Sequence, residues 1–481
     1  MKPTALLGML TATVLGVTMT GFTQELDRTI RPKGQGTLRI DLPDIQKTTL
    51  KNGLKVWLVE QHELPLVAFN LVLQSGTDHD PANLPGLASL TADMLDEGTR
   101  SRTALQIAEE LDFVGAGLDI SAFTDGTTIR LNTLTKHLDR ALDVYADVIV
   151  NPTFPQQEFD RLKQQRLTAL LQQKDRPGVI ASLVFNKILY GENHPYGQNS
   201  TGTERSLNAM TRDDLVKFFT TYYRPNNATL LIVGDVKLKQ ITEKLDKLLA
   251  AWKSSIIPAL NFPPTPPAGE RRIYLVDKPA AAQSEVRIGM PAAARNTPDF
   301  FALTVMNNVL GGQFSSRLNM NLREKHGYTY GARSAFSFTK QPGPFVASAA
   351  VVTAKTDSSV KEFFYEIEKM RNEGMTAEEL EFTKKSLTGT FARNFETPAQ
   401  IAGALQNLVL YNLPDDYYDK YLQSINAVTL DDVKRVSSRY LDTRKMTVVI
   451  VGDRKAIKEG LEKLNIGEVI LADADGNRIT Q

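Results

Sequence analysis

The chain has no cysteine among its 481 residues. Disulfides, thiolate catalysis, iron–sulfur clusters and cysteine zinc sites are therefore excluded. Histidine is scarce: His62, His79, His137, His194 and His326 are the only five, and no two stand within four residues of each other. A helical pair of imidazole metal ligands is thereby absent. An excess of charge is missing too, since 56 basic and 55 acidic residues leave a net charge of +1. Nothing in that balance calls for nucleic acid or an anionic membrane as partner. Beyond the N-terminal segment there is no run of 18 apolar residues, so no membrane span is expected in the mature chain. What is present, 42% hydrophobic and 23% charged residues, is the composition of an ordinary globular protein. The length exceeds what one core serves and predicts at least two domains.

Met1-Lys2 precedes an apolar stretch, Ala5 to Val17, and then small and polar residues through Thr23. One positive charge, a short apolar region and small residues have the form of a secretory signal peptide over residues 1–23. The stretch is too short to span a bilayer comfortably, and without cysteine no lipid anchor can be attached. The first 27 residues hold no arginine, which argues against a mitochondrial transit peptide. The expectation is an exported, periplasmic chain.

The sequence repeats itself. Residues 211–235 (TRDDLVKFFTTYYRPNNATLLIVGD) align without a gap to residues 429–453 (TLDDVKRVSSRYLDTRKMTVVIVGD). Each copy opens with Thr and follows it with Asp two and three residues on, an N-cap with acids in the first helical turn. Each then runs into an apolar strand, Ala228–Val233 or Met446–Val451, closed by Gly-Asp. The chain reads as a tandem duplication of one α/β domain. Between the copies, residues 253–270 carry Pro258, Pro263, Pro264, Pro266 and Pro267, an extended linker. The domains are expected at 45–252 and 271–465, with a polar tail from Asp473. Asn52-Gly53 predicts a turn before a strand at Leu54–Val59, and Leu66–Leu73 and Ile129–Leu134 read as further strands. Helical patterns fall at Gly86–Asp96, Thr103–Val114, Leu138–Val150 and Gln156–Gln173. The fold class is α+β, each domain a two-layer sandwich with a mixed sheet under helices.

Gly86 to Thr99 reads GLASLTADMLDEGT. This resembles the active-site helix of the pitrilysin/insulinase family of zinc peptidases, G-L-A-H-x-x-E-H-M-x-x-x-G-T, in which H-x-x-E-H holds zinc and the catalytic Glu. Thr49 to Leu54, His194-Pro195-Tyr196-Gly197, Tyr223 to Asn227 and Gly311 to Ser334 are similar to further signatures of that family, in the same order. Ser89, Ala92 and Asp93 stand where His, Glu and His belong. The family's remaining ligand, a Glu on a later helix, corresponds to Ala169. The resemblance thus implies a degenerate metal site, with no cofactor in this chain. It also implies a retained pair. Arg323 and Tyr330 stand seven residues apart in LREKHGYTY, where the family places donors to substrate and oxyanion. Read from the residues alone, Gly327 ends a helix, Arg323 pairs with a nearby acid and Tyr330 is a strand aromatic. Gly311-Gly312 lacks the phosphate-loop patterns, and Ser315-Ser316 has no histidine partner at a recognisable spacing.

Some members of that family work as two chains, one with H-x-x-E-H and one with the Arg/Tyr pair. The resemblance implies a zinc-less subunit of a heterodimeric endopeptidase, enclosing peptides with a homologous zinc-bearing partner. The alternatives are a structural or peptide-binding scaffold and, less favoured, a self-sufficient zinc peptidase.

Overall fold

The structure, a computed structural model, describes residues 44–479. The expected signal segment, 1–23, lies outside them.

Two six-stranded mixed sheets organise the chain. The first uses β1 (Gln46–Thr49), β2 (Lys55–Glu60), β3 (Leu66–Leu73), β4 (Gly117–Phe123), β5 (Gly126–Leu134) and β6 (Ala228–Gly234) in the order β1-β2-β6-β3-β5-β4. The second uses β7 (Arg272–Asp277), β8 (Gln283–Ala293), β9 (Thr329–Phe336), β10 (Gly343–Val352), β11 (Thr447–Gly452) and β12 (Glu468–Ala472) in the order β12-β7-β11-β8-β10-β9. Five positions of the two orders correspond strand for strand. In each sheet the repeat's closing strand lies parallel to the first strand of the corresponding set, β6 on β2 and β11 on β7. It lies antiparallel to the second, β3 or β8. The outer edges differ: β1 enters antiparallel from before the set, and β12 enters parallel from after it. β12 lies past residue 465, so the second sheet extends beyond the expected end of its domain.

The repeated helix starts form as their residues dictate. The Thr211 and Thr429 hydroxyls accept from the backbone N–H of Asp214 and Asp432, whose carboxylates accept from the threonine N–H at 2.9 and 3.0 Å. These reciprocal bonds satisfy donors that a helix start would otherwise leave unpaired. The Gly-Asp that closes each strand is a packing requirement. A Cβ on Gly234, whose φ is +140°, would meet the Leu66 carbonyl oxygen at 2.1 Å; one on Gly452 would meet the Ser284 hydroxyl at 2.4 Å.

Each sheet buries one face under its own helices. Val56, Leu58, Phe69, Leu71, Leu230 and Ile232 join the first core, and Ile273, Leu275, Val286, Ile288, Val448 and Ile450 the second. The alternate residues point the other way, as the period of a strand requires. There each sheet meets a helix from the opposite half. Pro398–Tyr411 lays Ile401, Leu405 and Leu408 on Val59, Val72, Leu231 and Val233. Pro177–Tyr190 lays Ile180, Ala181 and Val184 on Val276, Val449 and Val451. This reciprocal exchange makes the central strands near-continuously apolar. The link 253–270 between the sheets contains no helix or strand. Residues 473–477, in the expected polar tail, form a turn whose Asp475 carbonyl and Asn477 side chain accept from Lys187. The turn is therefore docked on the first half's exchanged helix.

Candidate functional site

The motif helix is short, Leu87–Asp93, and what survives of its pattern is the part that packs. Gly86 has φ +91°, and a Cβ there would meet the Gly202 backbone nitrogen at 2.6 Å. Leu87, Ala88 and Leu90 are buried in the first core. Gly98, at φ +148°, closes on Pro155, and the Thr99 hydroxyl donates to Asp147 at 2.6 Å. The glycines and apolar residues of the frame thus have structural work independent of any metal.

Between them the ligand positions are rebuilt around a cation supplied by the chain itself. Arg166, on the helix Gln156–Gln173, donates from Nη1 to the Ser89 hydroxyl at 2.8 Å and from Nη2 to the Asp93 carboxylate at 2.6 Å. Ser89 in turn donates to the Ser200 carbonyl at 2.7 Å. The guanidinium is 13% exposed and the Asp93 carboxylate 44%. Asp80 caps the helix start, accepting from the N–H groups of Gly86 and Ala88 at 2.7 Å each. Burial pushes its carboxyl up to about 7, against those two donors; Asp78 pushes the same way and Arg166 the other. Asp96, at the far end of the motif, is pushed up to about 6, again by burial. Carboxyls therefore stand before, at the end of and after this helix, with Arg166 bound to Asp93.

These donors do not fit zinc. Tetrahedral zinc needs three or four nitrogen, sulfur or carboxylate ligands at about 2.0–2.3 Å. Ser89 offers a hydroxyl, Ala92 is fully buried and offers nothing, and Ala169 is exposed and offers nothing. Asp93 is committed to Arg166. Among the described residues no group of three or more His, Asp or Glu gathers to hold a metal ion. A guanidinium has no lone pair to offer and stays charged, so it can neither activate water nor shuttle a proton. Arg166 was not singled out by the sequence. Its signal was positional: it stands one helical turn before Ala169, on the face that meets the motif helix.

His79 precedes Asp80 at the start of this helix, with its Nδ1 2.5 Å from the Asp78 carboxylate. His194 is buried and accepts from the Tyr196 N–H at Nδ1, 3.0 Å away; burial lowers its pKa. Tyr196 donates its hydroxyl to the buried Asp125 at 3.0 Å. Lys340 of the second half gives its backbone N–H to the same carboxylate at 2.9 Å. The His-Pro-Tyr-Gly signature therefore joins the two halves, and Gly197 is required because a Cβ would meet the Gly191 carbonyl oxygen at 2.0 Å.

Arg323 and Tyr330 flank a helix end. The turn Met320–Lys325 is π-helical, a widening of the helix often found at functional sites. Gly327 follows at φ +64° and returns its N–H to the Arg323 carbonyl at 3.0 Å. The Arg323 side chain pairs with Glu324 at 3.2 Å and lies over the Phe314 ring, 4.8 Å from its centroid. Tyr330 is the second residue of β9, the edge strand of the second sheet, and is 89% exposed. Its hydroxyl has no protein partner among the described residues. The two side chains do not hydrogen-bond each other, and neither touches Ser89, Ala92, Asp93 or Ala169.

Taken together, this is a duplicated α+β protein built on a peptidase scaffold whose motif helix lacks its ligand set. Residues 55–191 match the family described as Insulinase (Peptidase family M16), and residues 209–387 match the Peptidase M16 inactive domain. A solved structure described as the peptidase M16 inactive domain from Pseudomonas fluorescens is 30% identical, with a TM-score of 0.80 over 85% of this chain and 98% of that one. The chain belongs to the insulinase family of peptidases. It is also similar to the "Non-peptidase homolog YmxG" of Helicobacter pylori, 27% identical over 83% of this chain and 92% of the relative. The "Uncharacterized zinc protease YmxG" of Bacillus subtilis is 24% identical over 85% of this chain and 98% of its own length.

Proposed function

We propose that this chain is the zinc-less subunit of a two-chain zinc endopeptidase. It encloses peptide substrates and presents Arg323 and Tyr330 to the zinc site of a homologous partner that carries H-x-x-E-H. We propose also that it is exported and works in the periplasm. The observation that carries the reading is Arg166. A chain that fills its own ligand positions with a guanidinium salt bridge has a stable motif helix without metal, so its fold does not depend on zinc. The exposed Tyr330 hydroxyl and the half-exposed Arg323 are donors available to a ligand from outside. The Helicobacter pylori relative described as a non-peptidase homolog supports the same reading.

Metal and oxyanion donors need accurate placement and not a shared chain, so division between two subunits is chemically sound. The experiment uses the purified chain, alone and mixed with an H-x-x-E-H homologue from the same genome. Alone it should hold no stoichiometric zinc after dialysis and cleave no peptide. Mixed, it should assemble and raise turnover. A tightly held zinc in the single chain, with chelator-sensitive hydrolysis, would sink the proposal. The Arg323 contacts with Glu324 and Phe314 favour a second reading, a scaffold in which the pair is only structural. Assembly without any gain in turnover would support that one.

A further inference from the structure

The second half contains a cavity of about 530 Å³ that has no part in the sites above. Several helices and a loop build it. The helix Pro398–Tyr411 points Ile401, Leu405 and Leu408 at the first sheet. The adjoining face, Ala404, Asn407 and Tyr411, lines the cavity. The helix Tyr417–Ala427 supplies Tyr417, Tyr418 and Tyr421, and Phe391 stacks on Tyr421 with centroids 4.3 Å apart. The loop after β8 supplies Arg295. A cavity of this size, with mostly aromatic walls and a few polar groups, has the proportions of a small-molecule site.

Arg295 is the unusual member. It is 9% exposed. Its guanidinium lies 3.7 Å from the centroid of Phe300 and 5.0 Å from that of Tyr417. Among the described residues its guanidinium makes one hydrogen bond, from Nη2 to the Tyr417 hydroxyl at 2.8 Å, and no carboxylate pairs with it. The acid connected to the cavity wall is Asp125, through Tyr411. Both its oxygens are already engaged, by the Tyr196 hydroxyl and the Lys340 N–H. A buried guanidinium is ordinarily paired, because leaving it without a counter-charge is costly. Here aromatic faces hold it in place, and the rest of its fork faces the cavity.

We propose that this cavity binds a carboxylate carried on an apolar, ring-sized body. The carboxylate takes the free edge of the Arg295 fork, and the body lies among Phe338, Phe391, Tyr418 and Tyr421. The planar fork matches a carboxylate. One positive charge suits a monoanion, and among the described residues no second basic side chain lines the cavity to balance a phosphate dianion. Asn394, Gln400 and Asn407 at the wall can hydrogen-bond an amide, so the carboxylate could be that of a free small acid or of a peptide C-terminus.

Calorimetric titration of the full chain distinguishes these. The probes are 3-phenylpropionate, its neutral amide, and the peptide Ala-Ala-Phe with a free or amidated C-terminus. Saturable binding of at least one acid is expected, with its amide about 10- to 100-fold weaker, the worth of a charge-assisted hydrogen bond. A free acid binding alone identifies a small molecule as the source; a peptide acid binding more tightly identifies a chain terminus. Arg295→Ala should lose the acid–amide discrimination. Asn407→Phe fills the cavity and leaves Arg295 in place, so it should abolish binding even if Arg295→Ala folds poorly. Equal affinity for acid and amide, no saturable binding of either acid, or wild-type binding by Asn407→Phe would overturn the proposal.

Discussion

Replacing Arg166 by methionine removes the internal cation from the motif helix and keeps most of the apolar stem. The salt bridge to Asp93 is partly screened, because the Asp93 carboxylate is 44% exposed. Such a pair contributes about 0.5–1 kcal/mol. The bond to the Ser89 hydroxyl, at 2.8 Å, contributes about 1 kcal/mol more. The expected loss is about 2 kcal/mol at neutral pH, measured as an earlier urea midpoint at unchanged slope. The loss should also depend on pH, through Asp80. Its carboxyl is raised in the folded chain, so its contribution is favourable below the ordinary carboxylate range and is lost as pH rises through about 7. Arg166 opposes that rise. Without it the folded Asp80 holds its proton more tightly, and ionising it at high pH costs more. Arg166→Met should therefore be more damaging at pH 8 than at pH 5. Equal losses at the two pH values, or a gain in stability at both, would refute the view of Arg166 as a stand-in cation.

Four further outcomes follow from the same geometry. Restoring the ligands by Ser89→His, Ala92→Glu, Asp93→His and Ala169→Glu should give little zinc in metal analysis while Arg166 remains, because its cation lies between positions 89 and 93. Adding Arg166→Ala should raise zinc content measurably. Leu405→Ala or Leu408→Ala in the exchanged helix should each cost about 2–4 kcal/mol in chemical denaturation, since both are almost fully buried against the opposite half's sheet. Tyr196→Phe should cost about 1–3 kcal/mol by taking a donor from buried Asp125, whose carboxyl burial already raises. A raised carboxyl loses its contribution as pH climbs, so that loss should be smaller at pH 4 than at pH 8. Gly234→Ala should cost about 3 kcal/mol or more, because its methyl would meet the Leu66 carbonyl in a backbone that disfavours a side chain.

The repeat at 211–235 and 429–453 was enough to read two copies of one α/β unit, because helix caps and closing strands are local features of sequence. The exchange of helices between halves was not legible. Pro177–Tyr190 and Pro398–Tyr411 are mostly apolar with few polar positions, and nothing local says that one of their faces belongs to the other half. At the motif helix, Ser89, Ala92 and Asp93 were identifiable as departures from a known pattern. Arg166 was not, since its role depends on a contact across 73 residues of chain with Asp93. Arg295 escaped notice for the same reason: the aromatic residues that hold it come from positions 300 to 417. β12 was missed because a short apolar edge strand near a polar terminus carries little periodicity.

The most direct test is turnover by the reassembled pair. The chain is combined with its zinc-bearing homologue as wild type and as the double variant Arg323→Lys, Tyr330→Phe, with assembly verified by size-exclusion chromatography. Both substitutions are at partly or largely exposed side chains, so folding should survive. If the two donors face the developing oxyanion, kcat should fall by roughly a hundredfold or more with assembly intact. Wild-type turnover by a fully assembled double variant would contradict the account and leave the scaffold reading in its place.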